Sequence, residues 1–283
     1  MKTQKVAIVT DGASSIIPTE GEGLGVHVAP VYVTFDEQTY RSGVDLDATE
    51  FYNLLRSNKR LPTTAQPTAK DFVDLYTKLA KEVDEIVAVV ISHHMSATLQ
   101  SAQMAQEQFT DIPVHVFDSE SATVGLGMMT IAAARAAEQG QDADSILQLL
   151  ERIRQNLDIL FTVDTLEYLH KGGRIGGATA FLGAALNIKP IMHVEKGRIE
   201  PLERTRTRKR AIARLLELVE EKVTTKEAHF AILHCTAENE AHELGELVKE
   251  RFNCVDLFIS EAGPVIGTHA GPGTLGIAYY TLD

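Results

Sequence analysis

The sequence predicts an α/β protein in two parts, a mostly parallel α/β domain over residues 1–157 and an α+β domain over residues 158–283. In the first half, short Val/Ile-rich runs alternate with helix-patterned stretches, as expected of strands buried on both faces of a parallel sheet. The texture changes at "DILFTVDTLEYLHKGGRIGG" (158–177), and the second half carries a hairpin signal, "MHVEKGRIEPL", turning at Lys196-Gly197. A chain of 283 residues accommodates two medium domains.

Strands are expected at "KVAIVT" (5–10), "GVHVAPVYVTF" (25–35), "EIVAVVI" (85–91) and "VHVF" (114–117). Between them, "DATEFYNLLRS" starts a helix with Asp47 as N-cap and Glu50 three residues on, and "TAKDFVDLYTKLAKEV" repeats that capping box with Thr68 and Asp71. Helical periodicity continues through "LGMMTIAAARAAEQG" and "DADSILQLLERIRQNL". The second half predicts a strand and a short helix after residue 157. Further strands are expected near 188–194, 198–204, 229–235 and 255–260, with helices near 207–223 and 238–251. The tail "GPVIGTHAGPGTLG" (263–276), with five glycines and two prolines, reads as a loop too broken for helix or strand.

Composition excludes several function classes. A net charge of −12 argues against nucleic acid or an anionic membrane surface as the main partner, since both are held largely through Lys and Arg. No apolar run reaches 18 residues and the N-terminus lacks a signal-peptide core, so a cytoplasmic protein is expected. Cys235 and Cys254 have no C-x-x-C spacing, and no H-E-x-x-H occurs, so neither a redox pair nor a metal site is expected. The "GPGTLG" glycines match G-x-G-x-x-G, but no βαβ unit surrounds them, and no P-loop motif is present.

Ligands of open parallel sheets sit beyond the carboxyl ends of the strands. The loops there are "DGASS", "SHHMSATLQSA" and "DSESATVGLG". Ser96 caps the helix that follows it, running to about Phe109. Either it does only that, or with the amides of Ala97 and Thr98 it holds an anion. Arg174, after two glycines and before the nearly uncharged "ATAFLGAALNIKPI", either starts a solvated helix or grips a carboxylate or phosphate beside an apolar wall. His269 sits at the centre of the glycine-rich tail.

The loops "VTDGASSI", "TTAQPT", "SATLQSA", "DSESATVGLG", "TLEYLHKGGRIGGATAFLGAALNIKPI" and "GPVIGTHAGPGTLG" occur in this order over essentially the whole chain. In them the sequence resembles the DegV family of bacterial fatty-acid-binding proteins, including the binding subunits of fatty acid kinase. The resemblance implies one long-chain fatty acid held between the domains, its carboxylate in a polar network and its chain in a tunnel to which "ATAFLGAALNI" contributes. By motif, Thr64 matches the threonine of the family's T-S-Q-P, Ser96 the serine of S-G-T, Arg174 the arginine of G-G-R-I, and His269 the histidine of G-T-H-x-G-P-G. Ala65 stands where the family has Ser and Ala97 where it has Gly, so a methyl group lies beside the Ala97 amide. No cofactor is implied. The partners implied are a fatty acid kinase catalytic subunit, which makes acyl phosphate for phospholipid synthesis, and an acyltransferase.

Burial of about fourteen methylenes of a C16 chain at about 0.8 kcal/mol each gives a gross term of roughly 11 kcal/mol before ordering costs. The tail therefore supplies affinity and the head group orientation. The competing reading is a small-ester hydrolase with Ser96 as nucleophile and His269 as base, although no G-x-S-x-G elbow is present. A DNA-binding regulator would need a basic recognition segment. The only dense cationic run is "ERTRTRKR" (203–210), in which Arg204 and Arg206 are expected to dock the kinase if the run is more than a solvated helix start.

Overall fold

The computed structural model describes residues 5–16, 22–183 and 188–282. The chain begins with β1 (Val6–Asp11), β2 (Val26–Ala29), β3 (Tyr32–Phe35), β4 (Gln38–Arg41), helix α1 (Ala48–Ser57), β5 (Thr63–Ala65), α2 (Ala69–Leu79) and β6 (Glu85–Val90). It continues with α3 (Thr98–Gln108), β7 (Val114–Asp118), α4 (Thr123–Glu138) and α5 (Ala143–Asn156). A four-stranded parallel sheet has the order β2-β1-β6-β7, and β4-β3-β5 form a small antiparallel sheet. The run expected as one strand over 25–35 is thus two strands in two sheets. Pro30 stands between them, and a residue without an N–H cannot continue a ladder.

Alternation along the parallel strands covers both faces. Val9, Ile86, Ala88 and Val90 pack on Phe72 and Tyr76 of α2 and Ala102 of α3, while Ile8, Val87 and Val89 pack toward α4 and α5. The cap at Thr68–Asp71 is the reciprocal box expected, whereas at Asp47 the cap bond is that from the Glu50 N–H. Helix α4 is buried on almost every side, with Val124, Leu126 and Met129 fully enclosed, because it lies between two sheets.

The second sheet is built from β8 (Asp158–Thr162), β9 (Lys189–Glu195), β10 (Arg198–Thr205), β11 (Glu227–His234), β12 (Asn253–Glu261) and β13 (Leu275–Tyr280) in the order β10-β9-β8-β13-β11-β12. Only β11 and β12 pair in parallel. The β9–β10 hairpin turns at Lys196 (φ 48°) and Gly197 (φ 76°), as the sequence predicts. The remaining helices are α6 (Glu167–Lys171), α7 (Arg208–Val223), α8 (Glu238–Arg251) and α9 (Pro264–Ala270). Leu160, Phe230, Ile232 and Ile277 face Leu215 and Leu216 of α7 and Leu244 and Val248 of α8. Their neighbours Ile159, Phe161, Ala231, Leu233 and Ala278 face the first domain. One face of this sheet is thereby a wall turned toward the parallel-sheet domain.

The glycine-rich tail departs from expectation. Residues 264–270 form helix α9 with Pro264 at its start, and Leu275–Tyr280 is the wholly buried central strand β13. Proline suits the first helical turn, and Gly271 closes the helix at φ 76°, where a side chain would be strained. Helix α3 also begins later than predicted. Its N-cap is Ala97, and the Ser96 hydroxyl bonds the Thr98 N–H at 3.3 Å from one position upstream.

Candidate functional site

In the parallel sheet β1 lies between β2 and β6, so the chain leaves β1 in one direction and returns on the other side of it. The crevice beyond the carboxyl ends of β1 and β6 is where such sheets bind ligands. Asp11, the last residue of β1, bridges it. Its carboxylate accepts the Ala13 N–H at 2.9 Å and, across the crevice, the Ile91 N–H at 2.8 Å. Burial pushes the Asp11 carboxyl up to about 6, although both backbone donors oppose the shift.

A cavity enclosing about 990 Å³ of non-atom space, its mouth included, opens at this crevice. One wall is Ile159, Phe161, Leu233 and Gly276 of the second sheet, and Val31, Ile91 and Val124 stand opposite. The apolar lining is that of a site for an organic ligand. Polar side chains gather in one part of it: Thr64, Ser96, Arg174 and His269, brought from β5, the loop before α3, the turn after α6 and α9.

Packing fixes their positions. The small sheet and α1 carry Thr64 against α9, where the Tyr52 hydroxyl donates to the Ala262 carbonyl at 3.0 Å and Gly267 lies against Phe51. Thr64 Oγ1 and His269 Nε2 are consequently 2.8 Å apart. Gly172 abuts the other edge of the imidazole, where a Cβ would overlap His269 Nδ1. Buried Nδ1 has no hydrogen-bond partner among the described residues. Burial first, and the Arg174 charge second, bring the His269 pKa down to about 4, so the ring is neutral at pH 7.

Arg174 is half-buried and held by carbonyls. Nε donates to Met95 O at 3.0 Å and Nη1 to Gly172 O at 2.7 Å. Among the described residues no carboxylate pairs with it. Desolvation draws its pKa below the usual arginine value. A fixed guanidinium without a counter-charge, beside a neutral imidazole and two hydroxyls, can take an anionic oxygen pair as its remaining partner. The Ser96 hydroxyl is 2.8 Å from that of Thr98 and stands on the same cavity.

Thr64, Ser96, Arg174 and His269 therefore line one cavity, with Thr64 in contact with His269. Ala97 does not line the cavity; its side chain is exposed at the N-cap of α3. The apolar stretch after Arg174 does not form the described wall either. Gly176–Phe181 is a 3-10 helix, Ala178 and Phe181 are buried elsewhere in the core, and residues 184–187 lie outside the described residues. Arg204 and Arg206 are exposed, with the Arg204 guanidinium 5.1 Å from the Phe181 ring centre. Their neighbours in the basic run are structural: Arg208 pairs with Glu240 and Asp164, and Arg210 with Glu217. Sequence reasoning missed Asp11, Gln66, Thr123 and Thr274, which also line the cavity. Asp11 alone had a readable signal, a carboxylate ending a buried Val/Ile strand.

The family model described as "Uncharacterised protein, DegV family" matches residues 5–282. A DegV domain-containing protein of Halalkalibacterium halodurans is 37% identical over 278 residues, covering 98% of each chain. A solved Thermus thermophilus structure, described as fatty acid binding of a DegV family protein, superposes with a TM-score of 0.93 at 35% identity, covering 98% of this chain and 100% of that one. DegV of Bacillus subtilis, described as a fatty acid binding protein, gives 0.90 at 35% identity, with 98% and 99% covered. This chain is a member of the DegV family.

Proposed function

We propose that the protein binds one long-chain fatty acid between its domains, which divide at residues 157/158, with the carboxylate against Arg174, His269, Thr64 and Ser96 and the chain in the apolar cavity. The observation that carries this reading is Arg174, a half-buried cation on an apolar cavity whose bonds among the described residues go to carbonyls. The fatty-acid binding described for the Thermus and Bacillus relatives supports it. The protein acts as a carrier in the cytoplasm, without catalytic chemistry of its own, and presents the head group to a separate fatty acid kinase for acyl-phosphate formation, with an acyltransferase taking the product. Arg204 and Arg206, exposed beside internally paired neighbours, form the kinase-docking surface in this reading.

The hydrolase alternative gains no support from the geometry. His269 Nε2 is engaged with Thr64, and no acid among the described residues orients Nδ1. Mass spectrometry of lipid extracted from purified protein tests the proposal: a C14–C20 fatty acid at about one per chain is expected. A lipid-free preparation that also ignores added palmitate and oleate would overturn it. With the kinase present, Ser96→Ala and His269→Ala should lower acyl-phosphate formation more than fatty-acid affinity, because the tail dominates affinity. Unimpaired turnover in both would contradict the head-group assignment.

A further inference from the structure

Gly172 closes helix α6 and touches both Arg174 and His269. Its carbonyl accepts from Arg174 Nη1 at 2.7 Å, and its N–H donates to the Tyr168 carbonyl at 2.8 Å. Its Cα lies against the edge of the His269 ring. A Cβ there would overlap Nδ1, come within 3.2 Å of Cε1, and meet the Tyr168 carbonyl oxygen of its own turn at 2.9 Å. The backbone at 172 (φ −75°, ψ −8°) is open to any residue. What the missing side chain makes room for is therefore chiefly the imidazole.

That contact bears on which ring nitrogen carries the hydrogen. A neutral imidazole holds one, and the 2.8 Å contact between Nε2 and Thr64 Oγ1 suits either tautomer, because a hydroxyl both donates and accepts. The opposite edge is not so even-handed. Nδ1 is buried without a hydrogen-bond partner among the described residues, and the neighbouring Gly172 carbonyl is engaged by Arg174. A hydrogen on Nδ1 would be a buried donor facing the Cα–H of Gly172. Orphaned N–H groups are the rarer kind, whereas a bare lone pair at that place meets a weakly polarised C–H. The hydrogen therefore belongs on Nε2.

We infer that Gly172 is a positioning residue: fitted against Nδ1 without a side chain, it holds His269 as the Nε2–H tautomer, so that Nε2 donates to Thr64 Oγ1 and the Thr64 hydroxyl hydrogen is left for a ligand oxygen. His269 is the hydrogen-bond partner of Thr64 Oγ1 among the described residues, and Thr64 lines the cavity, so the freed hydrogen has the cavity to turn to. With the fatty-acid reading as its basis, the oxygen is that of the carboxylate. His269 and Thr64 then form a chain in which each link donates toward the negative charge. The opposite tautomer would turn the Thr64 hydrogen back to the ring and present a lone pair to the anion.

Two measurements on the delipidated full chain test this. Nitrogen-15 spectra of the wild-type imidazoles at pH 7, assigned through His269→Gln, are expected to show His269 with a hydrogen on Nε2 and none on Nδ1; the reverse would overturn the inference without any change at Gly172. The second compares palmitate with hexadecanol, which carries the tail without the carboxylate. Gly172→Ala, which pushes the ring away from Thr64, should weaken palmitate about tenfold and hexadecanol by less than about twofold. In a His269→Ala background, where no ring stands in the way, adding Gly172→Ala should alter neither affinity. A loss of the same size in both backgrounds, or one shared equally by palmitate and hexadecanol, would make Gly172 a purely structural residue and overturn the inference. A wild type that binds no palmitate would overturn the fatty-acid reading and with it the carboxylate as acceptor, whereas the nitrogen spectra judge the tautomer alone.

Discussion

Two arginines in this molecule are held in opposite ways. Arg214 on α7 is embraced by acids, with Glu203 and Glu221 each at 2.8 Å and Glu217 at 3.2 Å. Side-chain hydrogen bonds to these carboxylates lift its pKa above the ordinary arginine value. Arg174 is held as firmly, but by the carbonyls of Met95 and Gly172, and burial lowers its pKa. Where a cation serves the fold, the chain supplies the counter-charge. At the cavity the described residues give Arg174 only carbonyl acceptors and no counter-charge.

Removing the cation at the cavity should separate the two roles most clearly. Arg174→Gln is expected to weaken palmitate binding by about 1.5–3 kcal/mol, roughly 10- to 150-fold, without loss of thermal stability in the lipid-free protein. Arg214→Ala should do the reverse, costing about 1 kcal/mol or less of stability, since its partners are solvent-accessible, and leaving palmitate affinity intact. Isothermal titration and thermal melts read both. Equal binding losses in the two variants would erase the distinction.

A second comparison concerns Asp11 and His269, two titratable groups at the cavity whose shifts oppose each other. Asp11, raised to about 6 by burial, takes its proton earlier in the folded than in the unfolded chain, so its contribution is fully present below about 3.8 and is lost as pH rises through 6. His269, lowered to about 4, contributes stability above about 6.5 that is lost as pH falls toward 4. Relative to the lipid-free wild type, His269→Gln should gain about 2–3 kcal/mol of stability between pH 6.5 and 4, because the His269 loss is removed, and Asp11→Asn should lose a similar amount. Denaturant melts across that window check both signs. Parallel slopes in the two variants would show that neither group is buried as described.

The smallest effect is expected on the surface. Charge reversal at Arg204 and Arg206 should leave palmitate affinity unchanged within about twofold while weakening coupling to the kinase and flattening its salt dependence. Wild-type kinase affinity and salt slope in that variant would place the docking face elsewhere.

The sheets were largely legible because Val/Ile runs and capping residues are local signals. The β9–β10 hairpin announced itself through Lys196-Gly197, and the Thr68–Asp71 box formed as read. The glycine-rich tail misled, because its glycines serve close packing rather than looseness: Gly267 meets Phe51 and Gly271 meets the Tyr168 ring. Proline and glycine at the two ends of α9 were the available sign of a helix. The site was not legible from local pattern. Thr64 and His269 are 205 residues apart in the chain, and their 2.8 Å contact depends on how α1 and the small sheet dock on α9. Only the family resemblance joined them, and it could not reveal Asp11 bridging two strand ends through backbone bonds.

The most direct measurement is the carbon-13 resonance of palmitate labelled at its carboxyl carbon, followed from pH 8 to 4 in complex with the protein. A carboxylate bound to Arg174 stays ionised below the ordinary carboxylic range, so a single bound resonance that does not move over that interval is predicted, with titration restored in Arg174→Gln. A bound resonance that titrates in the wild type as it does in water, or that is indifferent to Arg174, would contradict the assignment of this cation to the ligand.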